Sequence, residues 1–208
     1  MCSNQIWAQL NIALMNYLAH LFLAGPHPGL MVGGFIADWI KGKAIDQYSI
    51  EIQNGIKLHR AIDHFTDTHP IMEQVKAQLR PKYRKYSGVI ADVLADHYLA
   101  INWNRYSSVS LLDFSANAYS VLHLNKQHMP EKAHFMLHYM SLQDWLFNYQ
   151  YAEGIKRALN GLSRRAIFES RMEEAYADWE CNTVLFEQLF AVFIPQIMEF
   201  CDEYKKGA

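Results

Sequence analysis

His59-Arg-Ala-Ile-Asp63-His-Phe-Thr-Asp67 and Val89-Ile-Ala-Asp92-Val-Leu-Ala-Asp96-His97-Tyr-Leu99 decide the fold. In the first, His59, Asp63 and Asp67 recur every four residues. Such positions share one face of a helix, with Cβ atoms about 5–6 Å apart. In the second, Asp92 and Asp96 repeat that spacing inside an otherwise apolar run. Neither segment alternates with the period of two that a half-buried strand needs, so both read as helices. The spacing predicts one helix from near Ser49 to about Thr68, ended before Pro70, and another over 88–102.

Working outward, the rest of the chain is also helical. A first helix is expected over about 15–23, closed by the Gly- and Pro-bearing loop 24–29. A second spans Met31–Lys41, where Gly33-Gly34 marks a close backbone approach and Gly42 suits the C-terminal cap. A fourth covers roughly 71–79 and stops at Pro81, followed by the basic, aromatic loop 81–88. Ser110 opens a sixth helix, with Asp113 as its capping partner. Pro130 opens a seventh that runs to about 149, and two or three more follow, the last kinked at Pro195. No repeat or linker divides the chain. The expected architecture is all-α: a single-domain helical bundle of roughly eight to ten helices over 15–208, with 1–14 as an N-terminal extension.

Composition narrows the class. The chain has 208 residues, 51% hydrophobic and 19% charged, enough for one well-cored domain. A net charge of −2 offers no whole-molecule attraction for nucleic acid, and no nucleic-acid partner is expected. Cys2, Cys181 and Cys201 are odd in number and widely spaced. They fit a reducing cytoplasm better than a disulfide framework. The apolar run Ile12–Leu23 is interrupted by Asn16 and His20 and is too short to span a bilayer. No membrane partner is expected.

The chemistry lies in where Asp and His fall. His59 and Asp63 alone read as a hydrogen-bonded surface pair. Asp92 and Asp96 raise the odds of a site, because two like charges on an apolar helix need a cation or an Arg or His⁺ partner. Asp38 is the only carboxylate of the second helix, and Asn16 and His20 stand four apart on the first. Four helices thus place Asp, His or Asn on apolar faces. Oxygen and imidazole donors without thiolate suit Mn²⁺, Fe²⁺, Mg²⁺ or Zn²⁺. Such an ion polarises a phosphoryl oxygen and lowers the pKa of a water. His27, His64, His69, His123, His128, His134 and His138 read as loop or surface residues. Phosphate-loop, dinucleotide, nucleophile-elbow and HExxH motifs are absent. Arg164-Arg165, after a glycine, reads equally well as an anion or acidic-protein contact and as a solvated helix end.

A family resemblance runs through the chain. Its pieces are Met15-Asn-Tyr-Leu-Ala-His-Leu, Gly34-Phe-Ile-Ala-Asp-Trp-Ile-Lys-Gly and Gly55-Ile-Lys-Leu-His-Arg-Ala-Ile-Asp. Thr66-Asp67, Asp92-Val-Leu-Ala-Asp-His-Tyr-Leu, Tyr139-Met, Trp145-Leu and Leu159-Asn-Gly-Leu-Ser-Arg-Arg follow in order. Together they resemble the acyl-carrier-protein phosphodiesterase (acyl-carrier-protein hydrolyase) family. The resemblance implies an HD-phosphohydrolase-like helical fold that removes 4′-phosphopantetheine from holo-acyl carrier protein. It also implies a divalent cation, most often Mn²⁺, with Mg²⁺ or Fe²⁺ as alternatives. On this reading Asp38, His59, Asp63 and Asp96 hold the metal. His20, Asp38, Asp92 and His97 carry the catalysis, and Arg60, Arg164 and Arg165 meet the acidic carrier. Lys82, Arg84 and Lys85 are further candidates at the mouth. The pair Asp96-His97 reverses the order of the superfamily's His-Asp dyad, which leaves the division between ligand and proton donor open. Two other readings stand beside it: an HD-like phosphohydrolase of nucleotides or another small diester, and a non-catalytic helical module that binds the carrier. Oligomeric state is not fixed by the sequence.

Overall fold

The computed structural model describes residues 17–207, and among these there are helices and turns but no strand. The extension 1–14, Cys2 and Asn16 lie outside the described residues. In chain order the α-helices are α1 (Tyr17–Ala24), α2 (Pro28–Ile36), α3 (Ile50–Thr68), α4 (Pro70–Tyr83), α5 (Ser87–Ile101) and α6 (Leu111–Leu124). Then come α7 (Glu131–Leu142), α8 (Trp145–Asn148), α9 (Ala152–Arg165), α10 (Ala175–Cys181) and α11 (Thr183–Gly207).

The pattern of α5 explains its place. It is apolar on nearly every side, and a helix apolar all round belongs inside. Ile90, Ala91, Val93 and Leu94 are wholly buried, and α1, α4, α9 and α11 pack around it. The stripe Phe186, Phe190, Phe193, Ile197 and Cys201 seats α11 on the same core. By length and composition α11 is also apolar enough to cross a bilayer. It continues through Pro195, which faces solvent.

Helices α2 and α3 meet backbone to backbone. A Cβ on Gly33 would fall 2.2 Å from the Ile52 carbonyl oxygen, and one on Gly55 would fall 2.5 Å from that of Leu30. No other residue type fits at this crossing. The close approach expected at Gly33 is therefore present, and its partner is Gly55.

Local chemistry accounts for the helix ends. Ser49 caps α3 by accepting from the Ile52 amide, and Ser110 caps α6 by accepting from the Asp113 amide at 3.1 Å. The second helix begins earlier than expected, with Pro28 in its first turn, and after Ile36 tightens into the 3-10 turn Ala37–Trp39. Two expectations are corrected. Pro81 does not end α4, because Val75, Leu79 and Tyr83 continue a core-facing row and Pro81 points to solvent. The helix opened near Pro130 does not reach 149. It stops at Leu142, and Asp144 takes a left-handed conformation with φ 46° that turns the chain into the short α8.

Candidate metal centre

Helix α1 is short, and its free N-terminal amides need acceptors. Asp96 reaches across from α5 to supply them. Its Oδ2 accepts from the Leu18 amide at 3.0 Å and its Oδ1 from the Ala19 amide at 2.9 Å. The carboxylate is fully buried and sits at the positive end of the helix dipole. Burial pushes its pKa up while the two amides draw it down. This anchoring orients α1 so that His20 projects towards α3.

There His20 meets His59. The two rings stack with centroids 3.9 Å apart and planes 19° from parallel. His20 Nε2 lies 3.3 Å from Asp63 Oδ1, and His59 Nε2 lies 3.3 Å from Asp63 Oδ2. One carboxylate thus spans two imidazoles. Asp38, on the 3-10 turn after α2, adds an oxygen 3.7 Å from His59 Nε2. Both histidines are buried, whereas the Asp63 side chain is 44% exposed, so the cluster opens to solvent on its carboxylate side.

The electrostatics match a site built for positive charge. Burial lowers the proton affinity of His59, but hydrogen bonds to Asp38 and Asp63 outweigh it and lift its pKa to about 9. Burial, and then the charge of its stacked neighbour His59, push His20 below the usual histidine value. Burial would raise Asp63, yet its bonds to both histidines hold it well below the usual carboxylate range. The two shifts favour a charged His59 beside a neutral His20.

The donor set fits a divalent cation. One ligand atom each from His20, His59 and Asp63 lies within 4.8 Å of the others. Donors bound about 2.0–2.2 Å from a common ion sit a little over 3 Å apart, close to the separations present here. Donors of this kind hold Zn²⁺, Mn²⁺ or Fe²⁺. His59 Nδ1 is buried and has no hydrogen-bond partner among the described residues.

The other candidates fall in different places. Asp92 lines a small cavity of about 30 Å³ together with His20, Thr66 and Asp96. Burial, reinforced by the carboxylates of Asp67 and Asp63, pushes its pKa up to about 7. Asp96 stands outside the cluster, since both its oxygens serve α1. His97 is one residue further round α5 and faces away. Its Nδ1 lies 2.6 Å from the Tyr149 carbonyl oxygen, and its ring packs edge-on to Tyr176 and Trp179. Asp67 is exposed beside Lys76.

Arg60 donates to the Ile40 carbonyl at 2.7 Å and so fastens the turn that carries Asp38. Lys82 is engaged by Asp178 at 2.9 Å and Glu174 at 3.1 Å. Arg164 and Arg165 line a cavity of about 1020 Å³ beside α8 and α9. Tyr17, one turn before His20, is buried, and burial, reinforced by the charge of Asp38 and opposed by that of Arg165, pushes its phenol well above the usual tyrosine value. It is absent from the candidates drawn from the sequence. The signal that could have found it is its position three residues before His20 on a short helix.

The chain resembles known proteins along most of its length. The family model described as acyl carrier protein phosphodiesterase matches residues 15–197. An acyl carrier protein phosphodiesterase of Photorhabdus laumondii subsp. laumondii is 33% identical, covering 89% of this chain and 94% of its own. Proteins of the same name from Pectobacterium atrosepticum and Yersinia pestis are 32% and 31% identical, over 89% and 88% of this chain and 96% of theirs. No solved structure matches. With carboxylate and imidazole donors gathered where the matching segments meet, the chain belongs to the acyl carrier protein phosphodiesterase family.

Proposed function

We propose that this protein hydrolyses the phosphodiester joining 4′-phosphopantetheine to a serine of holo-acyl carrier protein, releasing the apo-carrier. The observation that carries this reading is the His20–His59–Asp63 cluster in a chain of this family. Asp38 completes the donor set, and Mn²⁺ is the favoured ion, with Mg²⁺ or Fe²⁺ as alternatives. A divalent cation there supplies positive charge to a phosphoryl oxygen and lowers the pKa of a water.

The chain's own groups do the rest. Asp63 fixes the orientation of both imidazoles through its two oxygens. Asp38 approaches the same His59 Nε2 from the turn after α2. Asp92, behind His20 with a proton affinity near neutrality, is suited to take up or deliver a proton. The serine oxygen of the carrier leaves and needs such a proton. The exposed Arg164 and the cavity-facing Arg165 attract an acidic carrier or its phosphate. His97 and Asp96 support this machinery from behind, as a packing group and a helix anchor. The cysteine pattern fits work in the cytoplasm.

The test is to incubate holo-carrier with the protein and Mn²⁺ and to weigh the carrier by mass spectrometry. Loss of the 4′-phosphopantetheine mass, abolished by chelator, is the expected result. An unchanged carrier, with hydrolysis of nucleotides instead, would replace this reading by that of a nucleotide phosphohydrolase.

A further inference from the structure

The bond to be cut joins the arm to the carrier's own serine, so the carrier must come up against the cluster itself. The surface around the open side of the cluster is therefore surface that the carrier meets. That side is at Asp63, whose side chain is 44% exposed. Arg60 stands three residues before Asp63 on α3, and Lys57 three before Arg60, so each is the surface neighbour of the next. Arg60 Nη2 donates to the Ile40 carbonyl at 2.7 Å, which brings the chain just past the Asp38 turn against this part of α3. Lys41 and Lys43 follow directly.

Lys41, Lys43, Lys57 and Arg60 are all exposed, and none joins an ion pair among the described residues. Lys76, Arg80 and Lys82 differ, since each is held by an Asp or Glu. Residues 41–60 carry these four cations against two carboxylates, Asp46 and Glu51, in a chain whose net charge is −2. The positive excess is thus local to the cluster's edge. Like charges gathered on one surface repel, and an approaching anionic surface relieves that repulsion. The bond to Ile40 uses one of the five guanidinium N–H donors of Arg60 and leaves others for a partner. Ile50 stands two turns before Lys57 on the same face of α3 and is 64% exposed, an apolar contact beside the charges.

Resting on the activity inferred above, we propose that Lys41, Lys43, Lys57 and Arg60 form the surface on which the acidic carrier docks, so that its serine is delivered to the open side of the cluster at Asp63. Carboxylates of the carrier pair with these four cations, and Ile50 meets an apolar patch among them. The lysines are long and mobile and act mainly by attraction, whereas Arg60, held at one end by Ile40, offers a fixed fork that sets orientation. The exposed Arg164 adds attraction from α9, and the rim beside the cluster decides where the carrier lands. Lys132 provides a comparison. It is an exposed cation of α7, a helix that packs on α6 and α8.

The test measures binding apart from turnover. Holo-carrier is titrated calorimetrically into metal-free protein at several salt concentrations, and the mass of holo-carrier is followed in parallel with Mn²⁺. The variants are K41E/K43E, K57E and, as the comparison, K132E, all at exposed positions where the fold tolerates a change of charge. Melting temperatures check that it does. K41E/K43E should weaken binding at least about tenfold and K57E at least about threefold, against less than about twofold for K132E. The neutral pair K41Q/K43Q should fall between wild type and K41E/K43E, and binding by both double variants should depend less on salt than binding by wild type. Losses no larger than that of K132E, an unchanged salt dependence, or a wild type that does not bind holo-carrier overturns the proposal. The activity reading is decided separately. If holo-carrier keeps its mass while the rim variants lose binding, hydrolysis falls and the docking surface stands. If it loses the arm and the rim variants bind as wild type does, hydrolysis stands and the docking surface falls.

Discussion

His20 and His59 arrive on different helices and stack at 3.9 Å, with both Nε2 atoms turned on the single carboxylate of Asp63. Two imidazolium ions cannot share that space cheaply, so one proton is the most the pair of rings holds readily. That proton and a metal ion compete for the same donors.

Metal binding should therefore release a proton. His59 keeps its proton below about 9 in the metal-free protein. Calorimetric titration with Mn²⁺ at pH 7.5, in two buffers of different ionisation enthalpy, should report release of about one proton, and affinity should fall by up to about tenfold per pH unit below 9. Identical heats in the two buffers would refute this. The same shift sets a stability trend. Because the folded pKa lies above the unfolded one, this contribution is full below about 6.5 and is lost as pH rises through about 9. The metal-free protein should accordingly melt lower at pH 9 than at pH 6.5.

Asp63→Asn keeps the shape of the side chain and removes its charge. Turnover of holo-carrier should drop by more than about 100-fold, since both histidines lose the group that orients them. Because the Asp63 side chain is 44% exposed, the fold should tolerate the change. Circular dichroism and a metal titration separate the two effects, and activity above one tenth of wild type would exclude Asp63 as a ligand.

Asp96→Ala should act on stability first. Two helix amides lose their buried acceptor, at a cost of about 2–3 kcal/mol. Asp96→Asn retains one acceptor oxygen and should cost less. Thermal melts of both variants, ranked against wild type, check the order. If Asp96→Ala melts like wild type but no longer binds metal, Asp96 belongs with the ligands instead.

Tyr17→Phe should act on stability in the opposite direction. Removing a buried hydroxyl that has no hydrogen-bond partner among the described residues should leave the melting temperature unchanged or raise it. A variant that melts lower in thermal scans would mean that the hydroxyl has a structural partner.

Charge on α9 should govern the encounter with an acidic carrier. Arg164→Glu reverses an exposed cation and should raise KM for holo-carrier, while added salt, which weakens wild type, should affect the variant less. Lys82→Met makes a useful contrast. Its ammonium is already engaged by Asp178 and Glu174, so it should lower stability and leave the salt dependence intact.

Much of this was legible in the sequence, for reasons particular residues make plain. The four-residue spacing of His59 and Asp63 survives folding because both sit on one helix, and the structure keeps them in contact. Asp38 and His20 were visible as lone polar groups on apolar helices, and α1–α3 converge on them. Asp96 was just as visible, but spacing reports only that a buried carboxylate needs a partner. Two backbone amides meet that need as well as a metal does, and nothing in residue order distinguishes them. His97 was read together with Asp96 as its neighbour in sequence, yet one residue turns a helix by about 100°, which sends it to a different face. The large cavity was the least legible feature. It depends on the left-handed turn at Asp144, which folds α8 back towards α9, and a non-glycine residue there carries no strong signal.

The glycine contact between α2 and α3 has a consequence for anyone who would move this chemistry to another scaffold. Asp38 follows Gly33 by five residues, and His59 follows Gly55 by four, so one crossing point meters out both sides of the cluster. Grafting Asp38, His59 and Asp63 onto an ordinary helical pair would leave the two sides too far apart, because side chains at the crossing would hold the two backbones at arm's length. The transplantable unit is the crossing itself, glycines included; these three travel with it, and His20 must be brought up separately on α1.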